Sequence, residues 1–410
     1  MAGVLQDLTP REEGIAAVSR ALAFPWAFGE RTLPFEEAAG RRIMRPIIAP
    51  EDFPPYDRST RDGYAVRSVD SHGATPANPV FLREAGEVVM GRLPTFALGS
   101  TECALIHTGG ILPSGADAVV MTEDAEATKG WLEIRRAVQR MENVLSAGEE
   151  FRAGDVLLPA GRRLDFRTLG LLAMAGIGSV PLPDITVGIV STGDEIVPAG
   201  TARLRPGQFR DVNSVLLASS LREEGYTSRF FGIAGDDRES LRSVLFRAMD
   251  ECDVVLVSGG SSVSMRDHSS SIMEELPAPG LLVRGILMSP GKTTLIAGMA
   301  RERKLLFGLP GHPFSCFVSW YAVALPLLNA MIWGSAEGTW TSVHLPAAET
   351  IFAQAGVEEF TPGRIEKGRV VPLPVKSGFA GALTHAHGLC RLPASQETVR
   401  AGEEVELWLW

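Results

Sequence analysis

Three polar loops between residues 191 and 262 contain residues that can bind a cation or an anion. They are Ser191-Thr192-Gly193-Asp194-Glu195, Gly235-Asp236-Asp237 and Ser258-Gly259-Gly260-Ser261-Ser262, and the third leads to Asp267. Glycine lets backbone N–H groups approach a ligand, hydroxyls donate hydrogen bonds, and carboxylates can hold a divalent cation. The third loop is neither a Walker A loop nor a G-x-G-x-x-G motif. Each loop alone could be a capped turn, but three of them at strand ends favour a ligand site.

Other polar turns lie beside apolar segments. Two of them contain proline and glycine, Ser289-Pro290-Gly291-Lys292 and Gly308-Leu309-Pro310-Gly311-His312-Pro313. Proline is expected at the first position of a helix, and a rigid turn can also point backbone amides at a ligand. In the first half of the chain, the turns around Asp62 and Thr108 have the pattern of hairpins when taken alone.

The elements that carry the three loops alternate between strand and helix. Short apolar segments predict strands at 185–190, 228–233, 253–257 and 281–288, and helical spacing predicts helices at 212–225, 237–250 and 269–276. Asp236 or Asp237 is expected to cap the second of these helices. This alternation predicts a doubly wound parallel sheet covered on both faces, with its ligand at the carboxyl ends of the strands.

Outside the α/β domain, proline, glycine and short apolar runs are frequent, which predicts a multi-domain protein with β-rich subdomains. Thr9-Pro10-Arg11-Glu12 has the pattern of a capping box that opens a helix. We therefore divide the chain into an N-terminal linking subdomain (1–45 with 151–180), a β-rich subdomain (46–150), the α/β domain (181–335) and a C-terminal β-domain (336–410).

Composition limits the function classes. The chain has 410 residues with 39 Lys+Arg against 49 Asp+Glu, a formal net charge of -10, which argues against a general nucleic-acid binder. Four widely separated cysteines favour a reduced cytoplasmic protein, and no signal-peptide pattern is present. The uncharged segment 313–333 is long enough to cross a bilayer. Because it contains Pro326 and Asn329 and has no close basic flank, we interpret it as a buried core helix and expect no membrane partner.

Taken together, the ordered motifs resemble those of the molybdopterin molybdenumtransferase family, which includes MoeA and the E-domain of gephyrin. The resemblance extends over nearly the whole chain. The motifs that carry it are Ser59-Thr60-Arg61-Asp62-Gly63-Tyr64-Ala65-Val66, Thr108-Gly109, Gly115-Ala116-Asp117-Ala118-Val119-Val120, Gly148-Glu149-Glu150, Ser191-Thr192-Gly193-Asp194-Glu195, Asp211-Val212-Asn213-Ser214, Ser258-Gly259-Gly260, Pro290-Gly291-Lys292 and Gly308-Leu309-Pro310-Gly311-His312-Pro313.

The resemblance implies an activity and an assembly. Enzymes of this family take adenylylated molybdopterin and molybdate, cleave the adenylate with release of AMP, and insert the metal into the dithiolene, assisted by Mg²⁺. Their fold is an elongated homodimer, with a cleft between the α/β domain of one subunit and the β-rich domain of the other. Molybdoenzymes or other cofactor-assembly proteins are possible partners, and tungstate remains an alternative to molybdate.

The resemblance also implies roles for individual residues. The catalytic group is Asp62, Glu195, Asp236 and Asp267, of which Glu195 and Asp236 are the expected metal ligands. The expected substrate-binding residues are Thr108, Glu150, Thr192, Gly193, Gly259, Gly260, Ser261, Lys292, Pro310, Pro313, Arg364 and Ser377.

The sequence departs from the family pattern in the basic part of the pocket. Ser289 and Gly285 occupy positions that are usually basic, with Arg284 as a neighbouring candidate replacement, and Ser264 and His312 replace the usual glycine and asparagine. Lost charge-assisted donors weaken oxyanion binding. One alternative is therefore a catalytically impaired paralogue that binds molybdopterin, molybdate or tungstate for cofactor delivery or regulation. A phosphosugar- or nucleotide-binding α/β enzyme is a third hypothesis.

Overall fold

A computed structural model describes residues 8–259, 263–336 and 339–410, with backbone only for 263–267. The chain forms two compact units. The smaller unit comprises Pro46–Pro159 and Phe166–Gly178, and the larger unit comprises the N-terminal residues up to Arg45, Ala160–Asp165 and Ser179–Trp410. The finer division into four parts stays a prediction.

The smaller unit is built around a six-stranded sheet with apolar side chains on both faces. Val66 and Val120 contribute to one cluster, and Ala65 and Val119 to the other, as the two-residue repeat of a strand requires. In spatial order the strands are Ala118–Met121, Gly63–Val66, Glu102–Ile106, Val80–Glu87, Trp131–Ile134 and Ala125–Thr128. Outside this sheet lie two strand pairs, Ile47–Ile48 with Val156–Leu158 and Arg58–Ser59 with Val144–Leu145, and the helix Phe166–Met174.

The larger unit contains the α/β sheet. In spatial order its strands are Thr227–Ala234, Thr186–Thr192, Val254–Ser258, Lys304–Leu309, Leu295–Met299 and Pro279–Val283. The first four are parallel, and the last two are antiparallel to their neighbours. The predicted parallel sheet is thus confirmed for the first four of these strands, and the last two add an antiparallel edge to it.

Helices cover both faces of this sheet. Val254 and Leu256 pack in one cluster with Leu217 of the helix Asn213–Glu223, whereas Val255 packs in a second cluster with Leu245 of the helix Arg238–Glu251. The helix Val263–Glu274 contributes to the second cluster, and the helix Arg11–Ala21 to the first. The sheet is therefore doubly wound, and the loops after the parallel strands meet at one edge.

The apolar segment 313–333 is a core helix, as expected from its sequence. It consists of Pro313–Ser319, a π-helical turn at Trp320–Ala324 and Leu325–Trp333, and the 18-residue window apolar enough to span a membrane is buried over its full length. Asn329 is satisfied inside the core because it accepts from Tyr226 Oη and donates to Thr339 Oγ1, both at 3.0 Å.

The remaining strands of the larger unit form a C-terminal sheet and three short pairs. In the sheet, Met288–Ser289, Glu358–Glu366, Gly388–Leu392, Glu404–Leu409 and Thr341–Pro346 follow one another, and Arg369–Pro372 pairs with Glu358–Glu366. The short pairs are Gly29–Pro34 with Ser179–Asp184, Ile196–Val197 with Phe209–Arg210, and Ile351–Phe352 with Thr398–Val399. Short 3₁₀ turns lie at Phe35–Ala38, Ser68–Ser71, Thr122–Asp124 and Gly381–His385. All four cysteines are buried and unpaired.

The predicted capping box at Thr9 is wrong. The first helix begins at Arg11 and has no side-chain cap. Thr9 instead pairs through its backbone, because its N–H donates to Gly285 O at 3.1 Å and its carbonyl accepts from Leu287 N at 2.8 Å. Thr9 thus makes strand-like backbone hydrogen bonds to a distant segment in place of the predicted cap of its own helix.

Candidate active site

The loop after Thr186–Thr192 is joined to the start of the next helix by a buried carboxylate. Ser191 Oγ donates to Asp211 Oδ2 at 2.7 Å, and Ser214 N donates to Asp211 Oδ1 at 3.0 Å. Asp211 is buried. These bonds fix the N-terminus of the helix Asn213–Glu223 against the carboxyl end of the strand.

The loops 191–195 and 235–237, which we call the acidic loops, are neighbours. Asp236 N donates to Asp194 Oδ1 at 3.1 Å, and Gly193 N donates to Ala234 O at 3.1 Å. The residues predicted as metal ligands, Glu195 and Asp236, are both exposed. Their loops therefore present carboxylates to solvent at the carboxyl edge of the sheet.

Asp237, and not Asp236, caps the following helix. Its Oδ1 accepts from Ser240 N at 2.8 Å at the N-terminus of Arg238–Glu251. Since the cap is occupied by Asp237, the carboxylate of Asp236 remains available for another role.

Glycines at this edge are required by both conformation and space. Gly259 has φ +138°, and a Cβ added there would lie 2.0 Å from Thr192 Oγ1. Gly193 has φ +133°, and a Cβ there would lie 2.8 Å from Glu195 Oε2. Thr192, Gly193, Glu195 and Gly259 are thus brought together. Gly260 and Ser261 lie outside the described residues, as does the side chain of Asp267.

Three buried oxygens at this edge have no hydrogen-bond partner in the described part of the chain. They are Thr192 Oγ1, Asn213 Oδ1 and Ser258 Oγ. An unpaired buried polar group is unfavourable by about 1–3 kcal/mol, which a ligand can remove. Asn213 and Ser258 were not among the predicted site residues, although their motifs, Asp211-Val212-Asn213-Ser214 and Ser258-Gly259-Gly260, had been singled out.

The turn before the core helix joins two more predicted residues. Phe314 N donates to Ser377 O at 3.0 Å, and Ser377 Oγ lies 3.4 Å from His312 Nδ1. Asn213 Nδ2 donates to Gly311 O at 2.8 Å. The structure thus groups Pro310, Pro313 and Ser377 and attaches their turn to the helix at the sheet edge.

The predicted cations, Lys292 and Arg364, are positioned by other contacts. Lys292 is half-buried in a turn held by Thr294 Oγ1, which donates to Gly291 O at 2.6 Å. Arg364 is paired with Glu366. Within the described residues, no hydrogen bond or ion pair joins either cation to the acidic loops.

The neighbourhood of Gly285 explains why no long side chain stands there. A Cβ added to Gly285 would lie 2.5 Å from Leu8 Cδ2 and 2.9 Å from Lys292 O. The guanidinium of Arg284 donates to Ser270 Oγ at 2.9 Å and pairs with Glu274. Arg284 is therefore bound to the helix Val263–Glu274.

In the smaller unit, Asp62 and Thr108 are in direct contact. Thr108 N donates to Asp62 Oδ1 at 2.7 Å and Thr108 Oγ1 at 3.1 Å. His107 Nδ1 is 3.6 Å from the same oxygen. The backbone and then the side-chain hydrogen bond from Thr108 lower the pKa of Asp62, and His107 adds to this effect. Glu150 is exposed, and in the described structure no bond links its carboxylate to Asp62.

The donor set at the sheet edge suits Mg²⁺ more than a softer metal. Among the described side chains, no three His, Cys, Asp or Glu residues form a group that could hold a metal by themselves. Mg²⁺ does not need such a cage, since it is commonly held by one or two carboxylates together with substrate phosphates. Glu195 and Asp236 can supply those carboxylates.

The doubly wound domain is followed in the chain by a C-terminal β-sheet, and comparison with known proteins finds the same order of domains. Three family patterns match the chain in order: "MoeA N-terminal region (domain I and II)" over 9–176, "Probable molybdopterin binding domain" over 188–330, and "MoeA C-terminal region (domain IV)" over 344–410. A "Molybdopterin molybdenumtransferase" from Bacillus subtilis is 30% identical over 408 residues, covering 96% of this chain and 93% of the relative. Another from Staphylococcus epidermidis is 28% identical and covers 91% and 90%.

Solved structures agree with this assignment. A molybdopterin biosynthesis MoeA protein from Pyrococcus horikoshii has a TM-score of 0.81 and 36% identity, covering 98% of this chain and 99% of the other. A second structure from the same organism has a TM-score of 0.84 at 26% identity. The chain belongs to the molybdopterin molybdenumtransferase (MoeA) family, the transferases of molybdenum cofactor biosynthesis. The resemblance inferred from the sequence is thereby confirmed.

Proposed function

We propose that this chain inserts molybdate into adenylylated molybdopterin and releases AMP. The observation that carries the proposal is the junction of the two acidic loops, where Asp236 N meets Asp194 Oδ1 at 3.1 Å beside the glycines 193 and 259. The exposed carboxylates of both loops can hold the counter-cation of a phosphate bound at this edge.

The chemistry requires the residue types found at this edge. In the release of AMP, an oxygen nucleophile bonds to one phosphorus of the link between the adenylate and molybdopterin. The bond from that phosphorus to the bridging oxygen breaks, the bridging oxygen leaves with the other phosphate, and negative charge grows on the phosphate oxygens. We propose Glu195 and Asp236 as the groups that would hold Mg²⁺, which supplies charge neutralisation when bound. Thr192, Gly193 and Gly259 then contact the substrate, and we propose Gly260, Ser261 and Asp267 for the same region.

A second group is proposed for the oxyanion. Molybdate needs hydrogen-bond donors and positive charge, and the 310–313 turn supports such a role because it is fixed between Asn213 and Ser377. Pro310 and Pro313 border this pocket, and Ser377, Lys292 and Arg364 donate to the oxyanion. An assay in which molybdate and tungstate compete would show which of the two oxyanions the chain prefers.

The smaller unit contributes a third group in this proposal. Asp62 is held ionised by Thr108, and Glu150 is an exposed carboxylate of the same unit. We propose that Asp62, Thr108 and Glu150 contact the substrate. We also propose that the protein is a cytoplasmic homodimer, which native mass measurement and fractionation of cells would test. Nothing in the structure or in the comparisons favours the alternative of a non-catalytic paralogue.

The experiment that tests the acidic loops measures AMP release by purified Glu195→Gln and Asp236→Asn variants. Each variant is expected to lose roughly 10²-fold or more in rate, as is usual for removal of a group that stabilises transition-state charge. Glu349→Gln is the matched control, because Glu349 is an exposed carboxylate of the C-terminal region. Normal turnover by either variant would remove that residue from the mechanism.

A further inference from the structure

Asn213 differs from the other residues at the sheet edge because one half of its amide is satisfied and the other is not. Its Nδ2 donates to Gly311 O at 2.8 Å, whereas its Oδ1 has no partner in the described residues. Asn213 is 7% exposed. Since a carbonyl oxygen can only accept, the bond to Gly311 fixes which end of the amide is the donor.

The unpaired oxygen lies next to the strand ends. Asn213 is the first residue of its helix and follows Asp211, which is bonded to Ser191 at the end of one strand. Gly311 follows the end of another strand, Lys304–Leu309, and Val254–Ser258 lies between these two strands. Asn213 therefore bridges loops that flank the carboxyl end of Val254–Ser258.

Ser258 contributes a second unpaired oxygen on the same face of the sheet. Its side chain alternates with that of Val257 and shares the face of Leu256, which packs in the cluster containing the helix Asn213–Glu223. Ser258 is 2% exposed, and its Oγ has no partner among the described residues. A hydroxyl can donate and an amide oxygen can accept, so the pair complements a ligand that has both an acceptor and a donor.

This pair of a donor and an acceptor fits some parts of the substrate and not others. Ionised phosphate and molybdate present acceptors only, so neither can satisfy Asn213 Oδ1. A nitrogen heterocycle such as pterin or adenine presents N–H groups beside acceptor atoms. We propose that Asn213 is a substrate-recognition residue whose Oδ1 accepts a hydrogen bond from an N–H group of the substrate's heterocycle, with Ser258 as a donor on the same face of the sheet. This inference rests on the proposed function, since it concerns the same substrate.

The test measures binding of pterin and of AMP separately, by fluorescence quenching and by calorimetry, to wild type, Ser258→Ala and Asn213→Ala. Loss of one hydrogen bond is expected to weaken binding of one of the two compounds by about 3- to 12-fold in each variant. The affected compound identifies the heterocycle at this edge. Ser258→Ala is the cleaner variant, because its hydroxyl has no described protein partner whose loss would disturb the fold.

A further variant separates recognition by Asn213 from its bond to Gly311. Asn213→Asp keeps an acceptor oxygen but cannot donate to Gly311 O, so it is expected to bind the affected heterocycle better than Asn213→Ala does. Equal weakening by Asp and Ala would assign Asn213 only to the turn and overturn the proposal. Unchanged binding of both compounds by Asn213→Ala and Ser258→Ala would also overturn it. Because binding needs no turnover, wild-type AMP release tests the proposed function independently.

Discussion

At the scale of single residues, Asp62 is the candidate site residue whose ionised form is most clearly stabilised by its neighbours. Its pKa is lowered, first by the backbone N–H of Thr108 and then by the Thr108 hydroxyl. Because the pKa of Asp62 is lowered in the folded chain, its hydrogen bonds with Thr108 stabilise the fold at pH values above the ordinary pKa of Asp. This stabilisation is lost as the pH falls through the lowered pKa. Asp62 is therefore a carboxylate throughout the neutral range.

Replacing Thr108 by valine should raise the pKa of Asp62 part of the way towards its ordinary value. The backbone hydrogen bond at 2.7 Å remains, so the rise is smaller than the whole depression. Carbon-13 NMR titration of the Asp62 carboxyl measures it directly, and Thr108→Ser, which keeps the hydroxyl, is the control. A titration curve identical to wild type in Thr108→Val would show that the hydroxyl does not hold the charge.

Asp236 and Asp237 are adjacent carboxylates with different expected roles. Asp237→Ala removes the helix cap and should lower the free energy of unfolding by about 1 kcal/mol, measured by urea denaturation. Asp236→Asn should leave stability nearly unchanged and lower the rate of AMP release. The opposite pattern, with Asp237 governing the rate and Asp236 the stability, would exchange the two roles.

At the scale of elements, the loop after Val254–Ser258 depends on Gly259. Alanine there must adopt φ near +138° and meet Thr192 Oγ1 at 2.0 Å, so Gly259→Ala should destabilise the fold by at least about 1–3 kcal/mol and impair pterin or AMP binding. Thermal unfolding and ligand binding measure the two effects. Gly200→Ala is the matched control, since nothing lies within 4 Å of its added Cβ. A Gly259→Ala variant as stable as this control would contradict the described loop.

The sequence was sufficient to predict the first three strands of the α/β domain and the helices between them, because apolar runs and helical spacing are local signals. The predicted strand 281–288 was wrong, since the segment is divided between Pro279–Val283 of the α/β sheet and Met288–Ser289 of the C-terminal sheet. The sequence did not reveal the hairpin of Leu295–Met299 and Lys304–Leu309. Both strands are almost entirely buried, so they show continuous apolar runs without the alternation typical of a half-exposed strand. Thr9 was misread for a related reason, since its tertiary pairing with 285–287 is not encoded in neighbouring residues.

Part of the candidate site was also predictable. Thr192, Gly193 and Gly259 end neighbouring parallel strands, and topology alone brings such residues together. The position of Asn213 was not predictable, because its bond to Gly311 joins residues 98 apart in sequence. The contacts of Ser377 with the 312–314 turn were expected only from the family resemblance.

At the scale of the larger unit, a buried ion network joins the first helix to the C-terminal sheet. Glu358 accepts from Arg11 Nε at 2.8 Å and from Arg391 Nε at 2.6 Å. Arg11 and Glu358 are buried, and the guanidinium of Arg11 also lies 5.2 Å from the ring centroid of Trp408. The network therefore links three segments that are distant in sequence.

Glu358→Ala should lower the free energy of unfolding by about 3–5 kcal/mol, because it leaves buried guanidinium charge without its partner. The double variant Arg11→Met with Glu358→Leu should recover part of that loss. Urea denaturation of the single and double variants gives the comparison. A double variant at least as unstable as Glu358→Ala would show that unpaired charge is not the cause.

Over the whole molecule, the net charge of -10 now has a partial functional explanation. Exposed carboxylates at the sheet edge would repel an anionic substrate unless a cation lies between them. The proposed activity should accordingly depend on a divalent cation, and removal of that cation by a chelator should abolish it.

The most direct test of the account is AMP release by the wild-type protein from adenylylated molybdopterin, with Mg²⁺ and with or without molybdate. We expect AMP and metal-loaded cofactor to appear together when molybdate is present, and the reaction to stop with a chelator. Bound adenylylated molybdopterin that releases no AMP at any molybdate or tungstate concentration would contradict the account.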